Sequence, residues 1–306
     1  MQFHTTTALD DDPVLFGWTT TAQFRERHAL GQYRPEWTWV AQDGERVLAR
    51  ARWWGFAHGE HPLSLDYLHL HPDVADPAAL AGDLIAAAHA GFRARGMTEL
   101  PDYHLKLPLG WREDPAAVAA VAVRRAAAAR AGLTDENERL RFEWTPEAGV
   151  PNTTSRLVFR PEPDDDVVLP VFRALVEGSL DVATRRGVAA SGAEALARDD
   201  LAFYRDEMPA PREWWRLAYA GDELVGLAIP SRNPHNAVVG YLGVLPEHRG
   251  NGYIHEVLAH ITRHHAELGV PRVLADTDTV NRPMAAAFER GGYRNIEMRL
   301  VLSAPV

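Results

Sequence analysis

Residues 241–268 read YLGVLPEHRGNGYIHEVLAHITRHHAEL, and the order of residue types within them decides the fold. Tyr241, Leu242 and Val244 suit a pleated, half-buried surface, and Pro246 then stops the ladder because it has no N–H to give. From Ile254 the apolar residues Ile254, Val257, Leu258, Ile261 and Leu268 recur at the spacing of one helix face. Between strand and helix lies Arg249-Gly250-Asn251-Gly252-Tyr253. Two glycines let the backbone approach a ligand closely and turn its N–H groups into one concavity at the helix start. Those N–H groups, the positive end of the helix dipole and the Arg249 cation together suit a pyrophosphate. The stretch reads as an anion cradle for a nucleotide-like cofactor.

On these residues the chain resembles the GNAT acetyltransferase superfamily. That family's cofactor loop reads Arg/Gln-x-x-Gly-x-Gly/Ala after a strand ending in Val-x-Pro. Val244, Pro246, Arg249 and Gly252 fall on the pattern, and Ile254 takes the last small position. A dinucleotide fingerprint lacks its third glycine here, and a Walker loop lacks its Gly-Lys-Ser/Thr. The resemblance continues to the C-terminus. Residues 272–277 read as the next strand, and 281–290 as a helix with Pro283 near its start. Gly291-Gly292-Tyr293 matches the family's helix ending, and residues 293–303 give the closing strands. The resemblance implies an α+β/α/β domain with a mixed, mostly antiparallel central sheet flanked by helices. It also implies acetyl-CoA, or another acyl-CoA, bound by Leu242, Gly243, Val244, Arg249, Gly250, Asn251, Gly252, Tyr253, Ile254 and Asn281.

Composition bounds the rest. The 306 residues suit about two domains, and 46% hydrophobic residues are ample for two cores. No apolar run approaches the ~20 residues of a membrane span, and the N-terminus lacks a charged-then-apolar signal segment. The absence of cysteine excludes disulfides, thiolate metal sites and a cysteine nucleophile. A net charge of -10 argues against a nucleic-acid surface and favours a cationic or amine substrate. Lys106 is the only lysine among the 32 basic residues, a bias that reflects base composition. The expectation is a cytoplasmic protein, monomeric or homodimeric.

The N-terminal half carries the same order of elements. Residues 16–30 read as a helix, 37–53 as a hairpin turning at Asp43-Gly44, and 64–71 as a strand stopped by Pro72. A helix over 77–95 ends at Gly96, a strand spans 103–107, a helix 115–131 ends at Gly132, and a strand closes at 139–144. Asp43-Gly44-Glu45 and Val47 align with Gly221-Asp222-Glu223 and Val225 at an offset of 178. Tyr67-Leu68 and Pro72 align with Tyr241-Leu242 and Pro246 at 174, and Gly96 with Gly269 at 173. Similar offsets across three elements indicate two copies of one fold. The predicted domains are 1–148 and 153–306, bridged by the Pro-, Gly- and Thr-rich residues 145–154. Where the second copy has Arg249-Gly250-Asn251-Gly252, the first has Val74-Ala75-Asp76-Pro77, with no glycine and a carboxylate that repels phosphate. The first copy therefore reads as a degenerate GNAT-like domain. In the second, a strand at 155–160 precedes a helix from about Asp164, an interrupted helical stretch at 181–211 and a hairpin at 214–230.

The implied chemistry is attack of an amine on a thioester. An amine attacks when neutral, so a proton acceptor is needed, and the tetrahedral oxyanion needs a donor such as a backbone N–H near Val244. Family members often place a Glu early in the strand before the loop, yet no carboxylate lies between Ala237 and Leu245. Tyr241, Asp276 and Asp278 are the candidate catalytic groups, with His235 and His255 nearby; the aspartates are equally placed to serve turns and caps. The family's proton-donating tyrosine, seven residues after Asn281, is replaced by Phe288. Phe203, Tyr204 and Glu207 are candidates for substrate contact and equally for helix packing. His260 and His264 share a helix face, but no third metal ligand accompanies them, so no metal is expected. The sequence implies an N-acetyltransferase acting on a small-molecule amine, without nucleic-acid or membrane partners. Two alternatives remain: an enzyme resembling mycothiol synthase, with its similar tandem layout, or a non-catalytic CoA-binding or sensory module.

Overall fold

A computed structural model describes residues 1–6, 21–152 and 155–305. The chain's elements run β1 (Gln2–Thr5), α1 (Thr21–Ala29), β2 (Thr38–Asp43), β3 (Arg46–Trp54), β4 (Ser64–Leu70), α2 (Pro77–Arg93), β5 (Asp102–Leu107), α3 (Pro115–Arg130) and β6 (Asp135–Trp144). They continue β7 (Leu157–Pro161), α4 (Asp165–Glu177), α5 (Val182–Ser191), α6 (Ala193–Ala202), β8 (Arg216–Ala220), β9 (Glu223–Arg232), β10 (Ala237–Val244), α7 (Tyr253–Glu267), β11 (Val273–Asp278), α8 (Arg282–Arg290) and β12 (Arg294–Ser303). The order β2-β3-β4-α2-β5-α3-β6 repeats as β8-β9-β10-α7-β11-α8-β12, as the offsets predict. The expected helix at 16–30 is α1; its residues 16–20, like 153 and 154 of the expected bridge, lie outside the described residues. Strand β1 carried no recognised signal, and residues 293–303 form one closing strand rather than several.

The described residues fall into two compact units, 1–138 with 297–305 and 139–296. In the first, the sheet runs β1-β2-β3-β4-β5, antiparallel except for β4 with β5, and its last place is taken by residues 298–302 of β12, antiparallel to β5. In the second, it runs β7-β8-β9-β10-β11, antiparallel except for β10 with β11, and residues 139–144 of β6 pair antiparallel with β11. The units thus differ from the predicted division at 148–153, because each sheet is completed by a strand from the far end of the other half of the chain. Alternation in a strand shows which face is buried and not which neighbour it pairs with, so the exchange has no sequence signature.

Each unit is a mixed, mostly antiparallel sheet packed by helices around its own core. Trp53, Leu84, Phe92 and Leu105 centre the first. Phe142, Val257, Ile261 and Phe288 on one sheet face, and Phe172, Leu227 and Ile229 on the other, centre the second. Asp76, Asp114, Asp164, Asp181 and Asn281 begin α2, α3, α4, α5 and α8, each accepting a backbone N–H that the helix leaves unpaired. Among the described residues no helix is long and apolar enough to cross a membrane.

Candidate functional site

Strands β10 and β11 pair in parallel only at Ala237–Val273 and Val238–Leu274. Immediately after, β10 bulges against β9 between Val238 and Tyr241. Gly240 sits in the bulge at φ 72°, and a Cβ there would meet the Ile229 carbonyl oxygen at 2.2 Å. Only glycine fits that backbone and that approach. The bulge turns the rest of β10 away from β11, and a cavity of about 660 Å³ occupies the gap. Residues 240–244 line one side, Asp276 and Thr277 the other, and the loop from His248 to Ile254 with Asn281, Pro283 and Met284 closes one end. Backbone groups on the splayed edge of β10 therefore face the cavity instead of a partner strand.

The loop end is built for an anion. Gly250 and Gly252 adopt φ of 82° and 75°, and α7 starts on Gly252 without a side-chain cap. Its first N–H groups are left for a ligand, where the helix dipole adds to them. Arg249 also braces the loop: its Nε donates to the Val244 carbonyl at 3.1 Å and its Nη1 to the Gly178 carbonyl at 2.6 Å. Arg156 donates to the Asn251 carbonyl at 2.9 Å and pairs with Glu256 at 2.6 Å. Buried Glu256 also accepts the Arg156 and Leu157 backbone N–H groups, so β7 and α7 hold the loop in one shape. Leu242, Gly243, Val244, Arg249, Gly250, Gly252, Tyr253, Ile254 and Asn281 all line the cavity. Asn251 does not; its side chain folds back onto the His248 carbonyl at 3.0 Å. Positive-φ glycines and an uncapped helix start fit a pyrophosphate.

The opposite end carries aromatic rings and carboxylates. Tyr204 donates to the Gly240 carbonyl at 3.2 Å, and its ring stands 5.5 Å from that of Tyr241. Burial first, and then the Asp200 charge, push both phenols well above their ordinary range. Tyr241 therefore keeps its proton at neutral pH. Asp200, on α6, has no hydrogen bond or ion pair among the described residues and lines the cavity. Burial, then the neighbouring Asp199 and Asp181, raise its carboxyl to about 6.

The two aspartates expected to take the proton are otherwise engaged. Asp276 lines the cavity but is gripped by Arg141 through two hydrogen bonds of 3.0 Å. Asp278 is 0% exposed; it accepts the Val182 N–H at 2.5 Å and faces Arg139 at 3.3 Å. Arg139 is shared with Asp181 at 3.5 Å. Phe288 is 1% exposed, packed against Phe142 and Tyr293 at 5.2 and 5.4 Å. It belongs to the core and does not line the cavity. Phe203 and Tyr204 line it, whereas Glu207 is exposed outside it. His235 lies in the turn before β10, its N–H bonded to Asn233 at 2.9 Å. His255 contacts Arg290 at 3.0 Å in a smaller adjoining cavity of about 330 Å³ that shares Gly252. His260 stacks on Phe159 at 4.0 Å and His264 meets Trp214 at 4.6 Å. Among the described residues no group of three His, Cys, Asp or Glu is placed to hold a metal.

Asp200 and Arg139 escaped the reading of the sequence. A signal for Asp200 existed: Ala197, Asp200, Leu201 and Tyr204 recur at 3- and 4-residue steps, which puts one carboxylate on the buried face of α6. Nothing in the sequence placed Arg139 opposite Asp278, because strand pairing decides that.

Residues 183–293 match the model of the Acetyltransferase (GNAT) family. Among solved structures, a GCN5-related N-acetyltransferase from Sphaerobacter thermophilus shares the fold at a TM-score of 0.53 and 16% identity, over 90% of this chain and 82% of that one. A GCN5-related N-acetyltransferase from Kribbella flavida does so at 0.50 and 14%, over 95% and 97%. A GCN5-related glucosamine N-acetyltransferase region of a fungal multi-domain β-N-acetylglucosaminidase does so at 0.54 and 13%, over 94% of this chain and 38% of that one. No curated protein matches the sequence.

Proposed function

We propose, on the premise that residues 183–293 are a GNAT acetyltransferase domain, that the protein is an acyl-CoA-dependent N-acyltransferase of a small-molecule amine, working in the cytoplasm. The observation that carries this reading is the cavity at the splay of β10 and β11, with a glycine cradle at one end and an unpaired carboxylate at the other. When bound, acetyl-CoA supplies a thioester acyl group and a thiol leaving group. The cradle of Arg249 to Ile254 holds the pyrophosphate through backbone N–H groups, with Arg249 and Arg156 keeping the loop in shape. Those backbone N–H groups of residues 242–244 that point away from β9 would serve as donors to an oxyanion. Asp200 draws in the amine as its ammonium ion and takes its proton, through water, at any pH above about 6. Tyr241 keeps its proton and donates a hydrogen bond to charge developing on sulfur. Asp276 and Asp278 hold Arg141 and Arg139, and so fix the wall of the site.

The test is calorimetry of CoA with Gly252→Val. Gly252 has open space around it, with Arg156 Nη2 nearest at 3.8 Å, so the substitution acts through φ 75° and the approach of the ligand. A β-branched residue at that φ forces the loop out of shape. CoA affinity is expected to fall by more than about tenfold, and unchanged affinity would sink the cradle assignment.

A further inference from the structure

A second, smaller cavity adjoins the cradle. It holds about 330 Å³, and Gly252 lines both it and the larger one. Its wall carries three basic side chains, Arg156, His255 and Arg290. They come from three places in the chain: the residue before β7, the first turn of α7 and the last turn of α8. The carboxylate on this wall, Glu256, is engaged by Arg156 Nε at 2.6 Å and by the Arg156 and Leu157 N–H groups. Arg290 has no ion pair among the described residues. Its Nη1 donates to His255 Nε2 at 3.0 Å, which leaves that nitrogen unprotonated and the guanidinium charge unanswered.

The electrostatics of the imidazole point the same way. Burial first, and then the Arg290 and Arg156 charges, hold His255 below its ordinary value. The fields of two guanidiniums thus converge on one ring at the cavity wall. Arg156 Nη2 lies 3.8 Å from where a Cβ on Gly252 would stand, so a second donor borders the glycine that the two cavities share. The remaining wall residues Leu258, Ala287 and Gly291 carry no charge. Guanidinium donors converging from separate elements are the chemistry that recognises a phosphate monoester. A ligand with its pyrophosphate on the cradle has two ends. One enters the cavity of about 660 Å³, and the other starts at Gly252. In CoA that other end is an adenosine with a phosphate on its 3′ oxygen, and only the ribose separates this phosphate from the pyrophosphate.

We propose that the smaller cavity is a phosphate-monoester site that takes the 3′-phosphate of CoA, with Arg290 as its donor and His255 holding the guanidinium in place. This rests on the acyl-CoA reading of the cradle but concerns only what tells CoA from the same molecule without that phosphate. Arg290 is exposed in the last turn of α8, so Arg290→Gln removes the charge without opening the core. Arg290→Lys keeps the charge and loses the planar fork.

The experiment is calorimetry of the protein with CoA and with 3′-dephospho-CoA, which differ in that one group. The wild type is expected to bind CoA about tenfold more tightly, one charge-assisted hydrogen bond's worth, and the preference should shrink as ionic strength rises. In Arg290→Gln the affinity for CoA should fall to that for dephospho-CoA, which itself stays unchanged; Arg290→Lys should retain part of the preference. Equal binding of the two compounds by the wild type would overturn the proposal, as would a preference untouched by Arg290→Gln. A free phosphate ion as the occupant would give that equal binding together with a titration by inorganic phosphate that Arg290→Gln abolishes, and this too rules out the 3′-phosphate. Failure of the cofactor reading looks different. Neither compound then binds, whatever residue stands at 290, and this inference falls with it.

Discussion

The two units open the same gap in their sheets and fill it differently. In the C-terminal unit β10 leaves β11 at the Gly240 bulge, and the gap is a cavity. In the N-terminal unit β4 pairs with β5 only at Ser64–Asp102 and Leu65–Tyr103, and β4 bulges against β3 at Asp66. Asp66 is the 174-offset counterpart of Gly240. Its carboxylate takes the Lys106 ammonium at 2.7 Å, the Tyr33 hydroxyl at 2.9 Å and the Ser64 hydroxyl at 2.8 Å. Both members of the ion pair are buried, at 6% and 12% exposure. The helix starts differ in the same sense. Asp76 occupies the N-terminus of α2 by accepting the Ala79 N–H, whereas α7 begins on bare glycine. One copy satisfies its polar groups internally, and the other leaves them for ligands. What separates the two copies is thus a few side chains in a shared backbone gap.

An all-or-none count gives the strongest chance to break this comparison. Titration with CoA should yield one equivalent per chain. Two equivalents would mean that Asp76 and the Asp66–Lys106 pair do not close the N-terminal site.

Next in size is the ion pair itself. Lys106→Met leaves Asp66 buried without its cation and should cost about 3–5 kcal/mol in denaturant unfolding, with CoA affinity unchanged. The pH dependence follows from the direction of the shift. Lys106 first among the charges, with His104 behind it, outweighs burial and holds the Asp66 carboxyl well below its ordinary 3.8. A depressed carboxylate contributes stability above its unfolded value and loses it as pH falls through the folded one. The wild type should lose this contribution below about pH 4, and Asp66→Asn should lack that part of the acid limb. An identical acid limb in both proteins would show that the pair is not holding the unit together.

Asp200 is the C-terminal unit's opposite case, a carboxylate left without a cation. Asp200→Asn should lower kcat/KM by about 10²–10⁴-fold, and the wild-type rate should fall as pH drops through about 6. Burial first, and then the charges of Asp199 and Asp181, keep the shift upward. Stability moves the other way. Its folded value lies above 3.8, so the fold favours the protonated form and stability declines as pH rises from about 4 to 6. Asp200→Asn should therefore be more stable at pH 7 by about 1 kcal/mol, after discount for partial exposure, and no more stable at pH 4. A variant that is slower yet not more stable would separate catalysis from the burial argued for this group.

The repeat and the glycine loop were legible because they are local. Gly250 and Gly252 announce a backbone that approaches a ligand, and the shared offsets announce two copies. Cross-strand facts were not legible. Asp276 and Asp278 read as free carboxylates at a strand end, but β6 places Arg141 and Arg139 directly opposite them. Phe288 fell on the family's donor position by count, while the turn of α8 aims it into the core. Asp200 was hidden for a simpler reason: Asp199-Asp200 is an ordinary acidic pair until the helix phase decides which one faces inward.

The smallest effect is expected at Asp276, and it tests whether a cavity-lining aspartate is structural or chemical. Its two bonds to Arg141 are those of a cross-strand pair, Asp276 standing opposite Arg141 in the β11–β6 register. Both side chains are partly exposed, at 31% and 23%, so solvent screens the pair and its net contribution is about 0–1 kcal/mol. Asp276→Asn keeps the shape and one acceptor oxygen for Arg141. Stability should change by less than about 1 kcal/mol, and kcat/KM should stay within about threefold of wild type for basic and weakly basic amines alike. A loss confined to the more basic amines would return the proton-accepting role to Asp276 and take it from Asp200. The two variants, measured over one amine series, divide that role between β11 and α6.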